Sequence, residues 1–515
     1  MLNNELSSKR SKIIGVLSLL CVFVSLFFFL NYDTQLNESP KGIHFMRQSD
    51  GLSFATNYAK ESNALWQPEL YNLKNKEAKA ACEFPIVYYV AGMQMKFYGK
   101  NFYILKALHL FIAWGALLVL FWNLLRFKRN LIPATVVVLI PFTSAVFNYY
   151  SLNYLPDIAA LGFTMAALGL VYSYSHFPSN RKLIFIVCLF ALASLLKVTY
   201  FIYPFGLILS FFIARFYSKS FNEKYKAVTK SLMIAFAVLG ALVFLWNAYM
   251  ISYNTYYESS SFHTSILPIW DAGREKVLEV FDYMWGFWYS SYFAQTIFHL
   301  ALILLIVLVV FIKRTPFFSK ALFVLFSLGG VMYALLFYTQ FKDHDYYFLV
   351  FIPVYMLLYF LGLQLLVKLI KRNYMKIVLG AAMLVVLFTS VNHARLKINK
   401  RYSQMADQYD YSSLILNDKA TLLKENLKLK HEDKVLVYPD DSQNGSLLSL
   451  DKKGWLLPYH KPPNTNVMKE FAKRGASYFF YVKIDSLNDV ELIDAVYPVI
   501  FEDEELKVYS LKNKF

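Results

Sequence analysis

Charge is scarce in this chain. Of its 515 residues only 17% are Asp, Glu, Lys or Arg, against about 25% in ordinary soluble domains. A fold solvated by water on every side is therefore excluded, and lipid is the solvent left for most of the surface. Cysteine is scarcer still: Cys21, Cys82 and Cys188 are the whole complement. Two of them lie inside apolar runs, so neither a disulfide framework nor a Cys-based zinc site organises the chain. No twofold repeat of spans is visible, which speaks against the inverted-repeat transporters. The net charge of +17 invites a nucleic-acid reading, but the basic residues fall in short clusters between apolar runs and accompany no nucleic-acid-binding motif. Nucleic acid is not an expected partner.

What is present is apolar length: 57% of residues are hydrophobic and 18% aromatic. Runs at 13–30, 104–124, 131–149, 156–175, 183–199, 201–216, 231–251, 294–312, 321–338, 346–367 and 376–391 mostly reach the ~20 residues that cross ~30 Å of hydrocarbon. The first follows Lys9, Arg10 and Lys12 and lacks a small-residue cleavage site, so it reads as a span rather than a removed signal peptide. The stretch 183–216 is too long for one span and short for two. Basic residues flank both its ends, which predicts a hairpin with its tip near Lys197 to Pro204. With that hairpin, Arg126, Lys128, Arg181, Lys182, Lys313, Arg314, Lys368 and Arg372 collect on one side of the membrane. This bias predicts a cytoplasmic N-terminus and an outer C-terminus.

The expected fold is a mainly α, polytopic membrane protein of about eleven transmembrane helices, residues 1–391, with a small α/β extracytoplasmic domain, residues 392–515. Two long outer loops, 31–103 and 252–293, interrupt the spans; loops of this length are more often functional than connective. The first has helical spacing at 51–60 and 86–98. The second is rich in Tyr and Trp, with an amphipathic stretch at 272–286 suited to the membrane interface. In the C-terminal part, helical patterns (412–428, 466–473, 487–495) alternate with strand patterns (434–438, 477–483, 505–511). Asp440, Asp441 and Asn444 read there as turn residues, with no catalytic role.

The first loop opens His44-Phe45-Met46-Arg47-Gln48-Ser49-Asp50-Gly51 and reaches Glu83-Phe84-Pro85 before the next helix. Two outer carboxylates, Asp50 and Glu83, suit a reaction in which a hydroxyl or amine must lose a proton. Arg47, one helical turn from Asp50, suits a phosphate leaving group; the other reading of Asp50 is that it caps a helix or pairs with Arg47. Lys197 in an apolar hairpin either snorkels to the interface or meets a lipid phosphate. The turn Phe341-Lys342-Asp343-His344-Asp345-Tyr346-Tyr347 offers Lys342 for a phosphate and His344 for a metal. His263, with Glu83, makes a possible site for a divalent metal ion. Asp157, after Pro156, reads as a helix N-terminal charge.

The segments HFMRQSDGLSFATNYA (44–59), EFPIVYYVAGMQMKFYG (83–99), ASLLKVTY (193–200) and KDHDYYFLVFIP (342–353), in this order and sidedness, resemble the GT-C-fold membrane glycosyltransferases. The branch is the bacterial one, similar to protein O-mannosyltransferases and aminoarabinose transferases. The resemblance implies an inverting transfer of a sugar from a polyprenyl-phosphate carrier to an envelope glycan, lipid or protein at the outer face of the plasma membrane. It implies Asp50 and Glu83 as catalytic residues, and Arg47, Lys197, Lys342, His344, Tyr346 and Tyr347 as candidates around the carrier. Two departures stand out: Asp50 is followed by Gly51 rather than Glu, and Glu83 by Phe84 rather than Lys. A flippase of lipid-linked sugars and a glycan polymerase or ligase are the other functions this topology admits.

Overall fold

The computed structural model describes residues 8–61, 63–127, 130–225, 229–262, 265–404, 409–483 and 491–512. The chain divides into two compact units. The first comprises Met1–Leu36, Lys106–Asn247 and Thr264–Lys400; the second comprises Asn37–Leu105, Ala248–His263 and Arg401–Phe515. The spatial division thus crosses the linear boundary at 391, because most of the first long loop clusters with the C-terminal segment.

Among the described residues, eight helices are long and apolar enough to span a membrane, or up to ten if each of two bent pairs is one span. Their outward faces carry exposed Leu17, Phe28, Val309, Val310, Val385 and Phe388, apolar positions that only lipid solvates without cost. The multi-pass membrane architecture is as expected. The run at 183–199 is a helix, Asn180–Leu196, of only 17 residues. It ends where Lys197 turns extended (φ −152°, ψ 108°), and a second helix follows at Ile202–Tyr217. The helix is therefore interrupted at Lys197, near the expected tip of the hairpin. The run at 131–149 bends by 77° between Leu131–Thr143 and Ala145–Ser151. Pro141 has no N–H to continue the helix, and extended Ser144 restarts it, its hydroxyl accepting from Phe147 N at 3.2 Å. The run at 294–312 begins as Gln295–Val310, turned 91° from Arg274–Tyr292 at the extended pair Phe293 and Ala294. The amphipathic stretch of the second long loop therefore lies across the direction of the span it feeds.

The second unit holds a five-stranded sheet: β1 (Lys434–Tyr438), β2 (Gly454–Leu456), β3 (Ala476–Val482), β4 (Val499–Glu502) and β5 (Leu506–Ser510). The order is β2-β1-β3-β5-β4, with β2, β1 and β3 parallel and β5 antiparallel to both its neighbours. Leu436, Phe479, Tyr481, Tyr509 and Met468 fill its core. The first long loop is stitched to the sheet edge: Leu73 N donates to Gly454 O at 2.7 Å, and Gly454 N to Tyr71 O at 3.1 Å. Two loop helices, Phe45–Lys60 and Ile86–Tyr98, pack through Gly92. A Cβ there would lie 2.6 Å from Tyr58 Cβ and 2.7 Å from the Ala55 carbonyl oxygen. Gly92→Ala is therefore expected to force the helices apart and cost about 1–3 kcal/mol. The detergent-solubilised variant should unfold at a lower temperature than the parent; an unchanged midpoint would show that the contact is not needed.

Candidate functional site

The residues singled out in the sequence fall into two clusters, one in each unit. In the second unit, the helix Phe45–Lys60 starts after His44 at φ 61° and sets Arg47 and Asp50 one turn apart. Glu83 sits just before Pro85, which opens the Ile86–Tyr98 helix. The Gly92 packing brings the two helices together, and Arg47 Nη2 donates to Glu83 Oε1 at 2.8 Å and Oε2 at 2.6 Å. The Tyr88 hydroxyl donates to the same carboxylate. The guanidinium also lies 5.1 Å from the ring of Phe262. Its second terminal nitrogen, Nη1, is buried without a hydrogen-bond partner among the described residues.

Asp50 is 3% exposed. Its oxygen Oδ1 accepts from Asn444 Nδ2 at 2.7 Å. Burial pushes its pKa up to about 6, opposed by the positive charge of Arg47 and the Asn444 hydrogen bond, while Glu83 pushes it further up. A carboxyl so placed titrates close to the working pH of a general base. Asn444 was read in the sequence as a turn residue; in the fold it is fully buried and reaches across the unit to Asp50. No local pattern signals this, since 394 residues separate the two. Asp440 does serve the turn, its carboxylate accepting from Ser442 N at 2.6 Å and Ser446 N at 3.1 Å.

In the first unit, Lys197 stands at the break between two helices. Its ammonium is 3.1 Å from Asp157 Oδ1 and lies 5.0 and 5.3 Å from the rings of Tyr346 and Tyr347. Asp157 is thus both a helix N-terminal residue and the counter-charge of Lys197, a pairing that its place after Pro156 does not reveal. Asp345, fully buried, accepts from the Tyr150 hydroxyl at 2.6 Å. His344 packs 5.4 Å from the Tyr346 ring and 5.6 Å from that of Tyr347. Lys342 faces elsewhere and pairs with Glu279. The short helix Asp345–Phe351 that carries Tyr346 and Tyr347 also carries Phe348 and Phe351. With Phe281, Trp285, Tyr289 and Tyr355 these two rings help to wall an aromatic groove of about 280 Å³.

No group of three or more His, Cys, Asp or Glu side chains able to hold a metal ion gathers among the described residues. His263 lies outside them. Both oxygens of Glu83 face the Arg47 guanidinium.

No family model matches the chain, and no curated protein matches its sequence. Among solved structures it is similar to ArnT from Cupriavidus metallidurans. In the apo state the TM-score is 0.61, and in the form bound to undecaprenyl phosphate it is 0.65. Each comparison has 10% identity and covers 96% of this chain and 98% of that one. It is also similar to an oligosaccharyltransferase from Archaeoglobus fulgidus tethered with an acceptor peptide. There the TM-score is 0.50 at 10% identity, over 89% of this chain and 69% of the other. At this identity the likeness is one of fold. The chain has the GT-C-like membrane architecture that the order of its segments led us to expect.

Proposed function

We propose that this chain is an inverting glycosyltransferase that takes a sugar from a polyprenyl-phosphate carrier and passes it to a hydroxyl or amine of an envelope glycan, lipid or protein. The transfer takes place at the outer side of the plasma membrane, with the N-terminus cytoplasmic. The observation that carries this reading is Asp50: a buried carboxyl, held by a fixed amide and poised near neutrality, outside the apolar spans of a GT-C-like fold. The fold likeness supports it, since one such neighbour is bound to undecaprenyl phosphate and another is tethered to an acceptor peptide.

In the reaction, the bond from the anomeric carbon to the carrier phosphate oxygen breaks as the acceptor's oxygen or nitrogen bonds to that carbon. The acceptor's proton goes to Asp50, and the phosphate keeps the electron pair. Cations stabilise the departing phosphate most where water is excluded. Lys197, in its half-buried aromatic surround, is the carrier-binding cation of the first unit, and the groove behind Phe348 and Phe351 suits an isoprenoid chain. In the second unit, Arg47 offers Nη1 as a phosphate donor beside Asp50, and Glu83 holds its guanidinium in place. Lys342 remains a weaker candidate, because a phosphate there competes with Glu279.

Lys197→Gln tests the carrier assignment. It removes the charge while keeping much of the length, and is expected to weaken binding of polyprenyl phosphate in detergent by roughly 10- to 100-fold, the range for a charge-assisted hydrogen bond. The neutral pair Lys197→Gln/Asp157→Asn controls for the stranded carboxylate and should bind as weakly. Unaltered affinity in both variants would take the carrier away from this cluster.

A further inference from the structure

We infer that Asn444, in the C-terminal segment, is the positioning residue that fixes the charge state and direction of Asp50 in the proposed transfer; this rests on Asp50 being the base. The side-chain oxygen of Asn444 accepts two backbone N–H groups, Tyr71 N and Asn72 N, each at 3.1 Å. Those two donors settle which end of the amide is oxygen. The NH2 group is therefore committed to the other side, where Asp50 Oδ1 lies 2.7 Å away. The amide cannot rotate without leaving the buried Tyr71 N–H and the part-buried Asn72 N–H unpaired, and the buried group alone would cost about 1–3 kcal/mol.

The surrounding backbone holds this geometry. The turn before Asn444 is closed by Asp440 and by Ser442 Oγ, which accepts from Gly445 N at 2.9 Å. Gly445 follows directly, and a Cβ there would lie 2.6 Å from Cε1 of Phe45, the first residue of the Asp50 helix. The Gly445–Leu450 helix has the sequence GSLLSL and brings no titratable group of its own. The charged and titratable groups that face Asp50 are Arg47 on its own helix and Glu83, with its partner Tyr88, from the Ile86–Tyr98 side. Arg47 is largely engaged with Glu83, so Asn444 is the neutral donor dedicated to the Asp50 carboxylate. A hydrogen bond to the charged form favours it. The bond thus keeps the base ionised at a pH where burial alone would leave it protonated.

Asn444→Asp separates this role from a merely structural one. The substitution is nearly isosteric and keeps an oxygen for Tyr71 N and Asn72 N, so the backbone contacts survive. It replaces the donor facing Asp50 with a second carboxylate, and two carboxylates sharing a site push one pKa strongly up. Titration of Asp50 is read directly from its carboxyl infrared band, as the difference between each protein and its Asp50→Asn derivative. The pH profile of sugar transfer is recorded in parallel.

The expected result is that the Asp50 midpoint and the acid limb of the rate profile both move up, by about two pH units. Asn444→Ala removes the donor without adding charge and should move both by about one unit, a tenfold loss of rate on the acid side of the limb. An infrared midpoint unmoved in folded Asn444→Asp and Asn444→Ala overturns the inference. A midpoint that moves while the rate profile stays put also overturns it, and places the fault in the role given to Asp50 rather than in the contact.

Discussion

Asp50→Asn is expected to lower the rate of sugar transfer by about 10²–10⁴-fold, the usual worth of a positioned general base, while carrier binding stays near the parent value. The same assignment fixes the pH dependence of the parent. The carboxyl titrates at about 6, raised by burial against the opposing Arg47 charge and Asn444 bond. Below that pH it is protonated and cannot take the acceptor's proton, so the rate should rise with pH along an acid limb centred near 6 and level off above it. The sign for stability runs the other way. A carboxyl whose folded pKa lies above its unfolded value contributes stability below the unfolded pKa, and that contribution is lost as pH rises through about 6. Above pH 7 the fold carries an unwelcome buried charge there. Asp50→Asn relieves it and keeps an oxygen for Asn444, so the inactive variant should be at least as stable as the parent. Activity lost together with stability would mean that Asp50 is structural.

Arg47→Ala should produce the largest loss of stability. It leaves Glu83, whose side chain is 6% exposed, without the guanidinium that faces both its oxygens. Removing one partner of a buried ion pair costs about 3–5 kcal/mol, a large share of the 5–15 kcal/mol that separates folded from unfolded chains. Adding Glu83→Gln should recover most of that loss, since the stranded charge goes with it, and the double-mutant cycle measures the coupling. Activity should not recover, because the phosphate donor is still missing. Arg47→Lys should fold better than Arg47→Ala yet transfer poorly, because an ammonium cannot donate to Glu83 and a phosphate with the planar spread of a guanidinium. Recovery of transfer in Arg47→Ala/Glu83→Gln would reduce Arg47 to a scaffold residue.

Much of the architecture is legible in the sequence because it rests on local patterns. Hydropathy places the spans, and the alternation around Lys434–Tyr438 and Ala476–Val482 gives strands within a residue or so of the observed ones. The helix expected at 51–60 starts earlier, at Phe45, since no capping residue announces its beginning. Hydropathy counts residues but not direction, so the bends after Thr143 and at Phe293 are invisible to it. The three-residue strand Gly454–Leu456 is too short to show alternation; it exists because β1 and the first loop flank it.

The candidate site is legible only in its members. Arg47, Asp50, Glu83, Lys197, Tyr346 and Tyr347 are recognisable as types in suggestive places. Their partners are not: Asn444 for Asp50, Asp157 for Lys197 and Tyr150 for Asp345 each come from a distant segment. Such pairings follow from packing, and no periodicity encodes them. Lys342 shows the converse, a cation conspicuous in the sequence whose ammonium the fold gives to Glu279.

The most direct test offers the purified protein, in liposomes, radiolabelled polyprenyl-phosphate sugars together with an envelope extract. The proposed function predicts label passing from carrier to extract with the parent protein and not with Asp50→Asn. Labelled carrier crossing the bilayer with no label reaching the extract, from any donor sugar, would contradict it and make this fold a carrier of lipid-linked sugars instead.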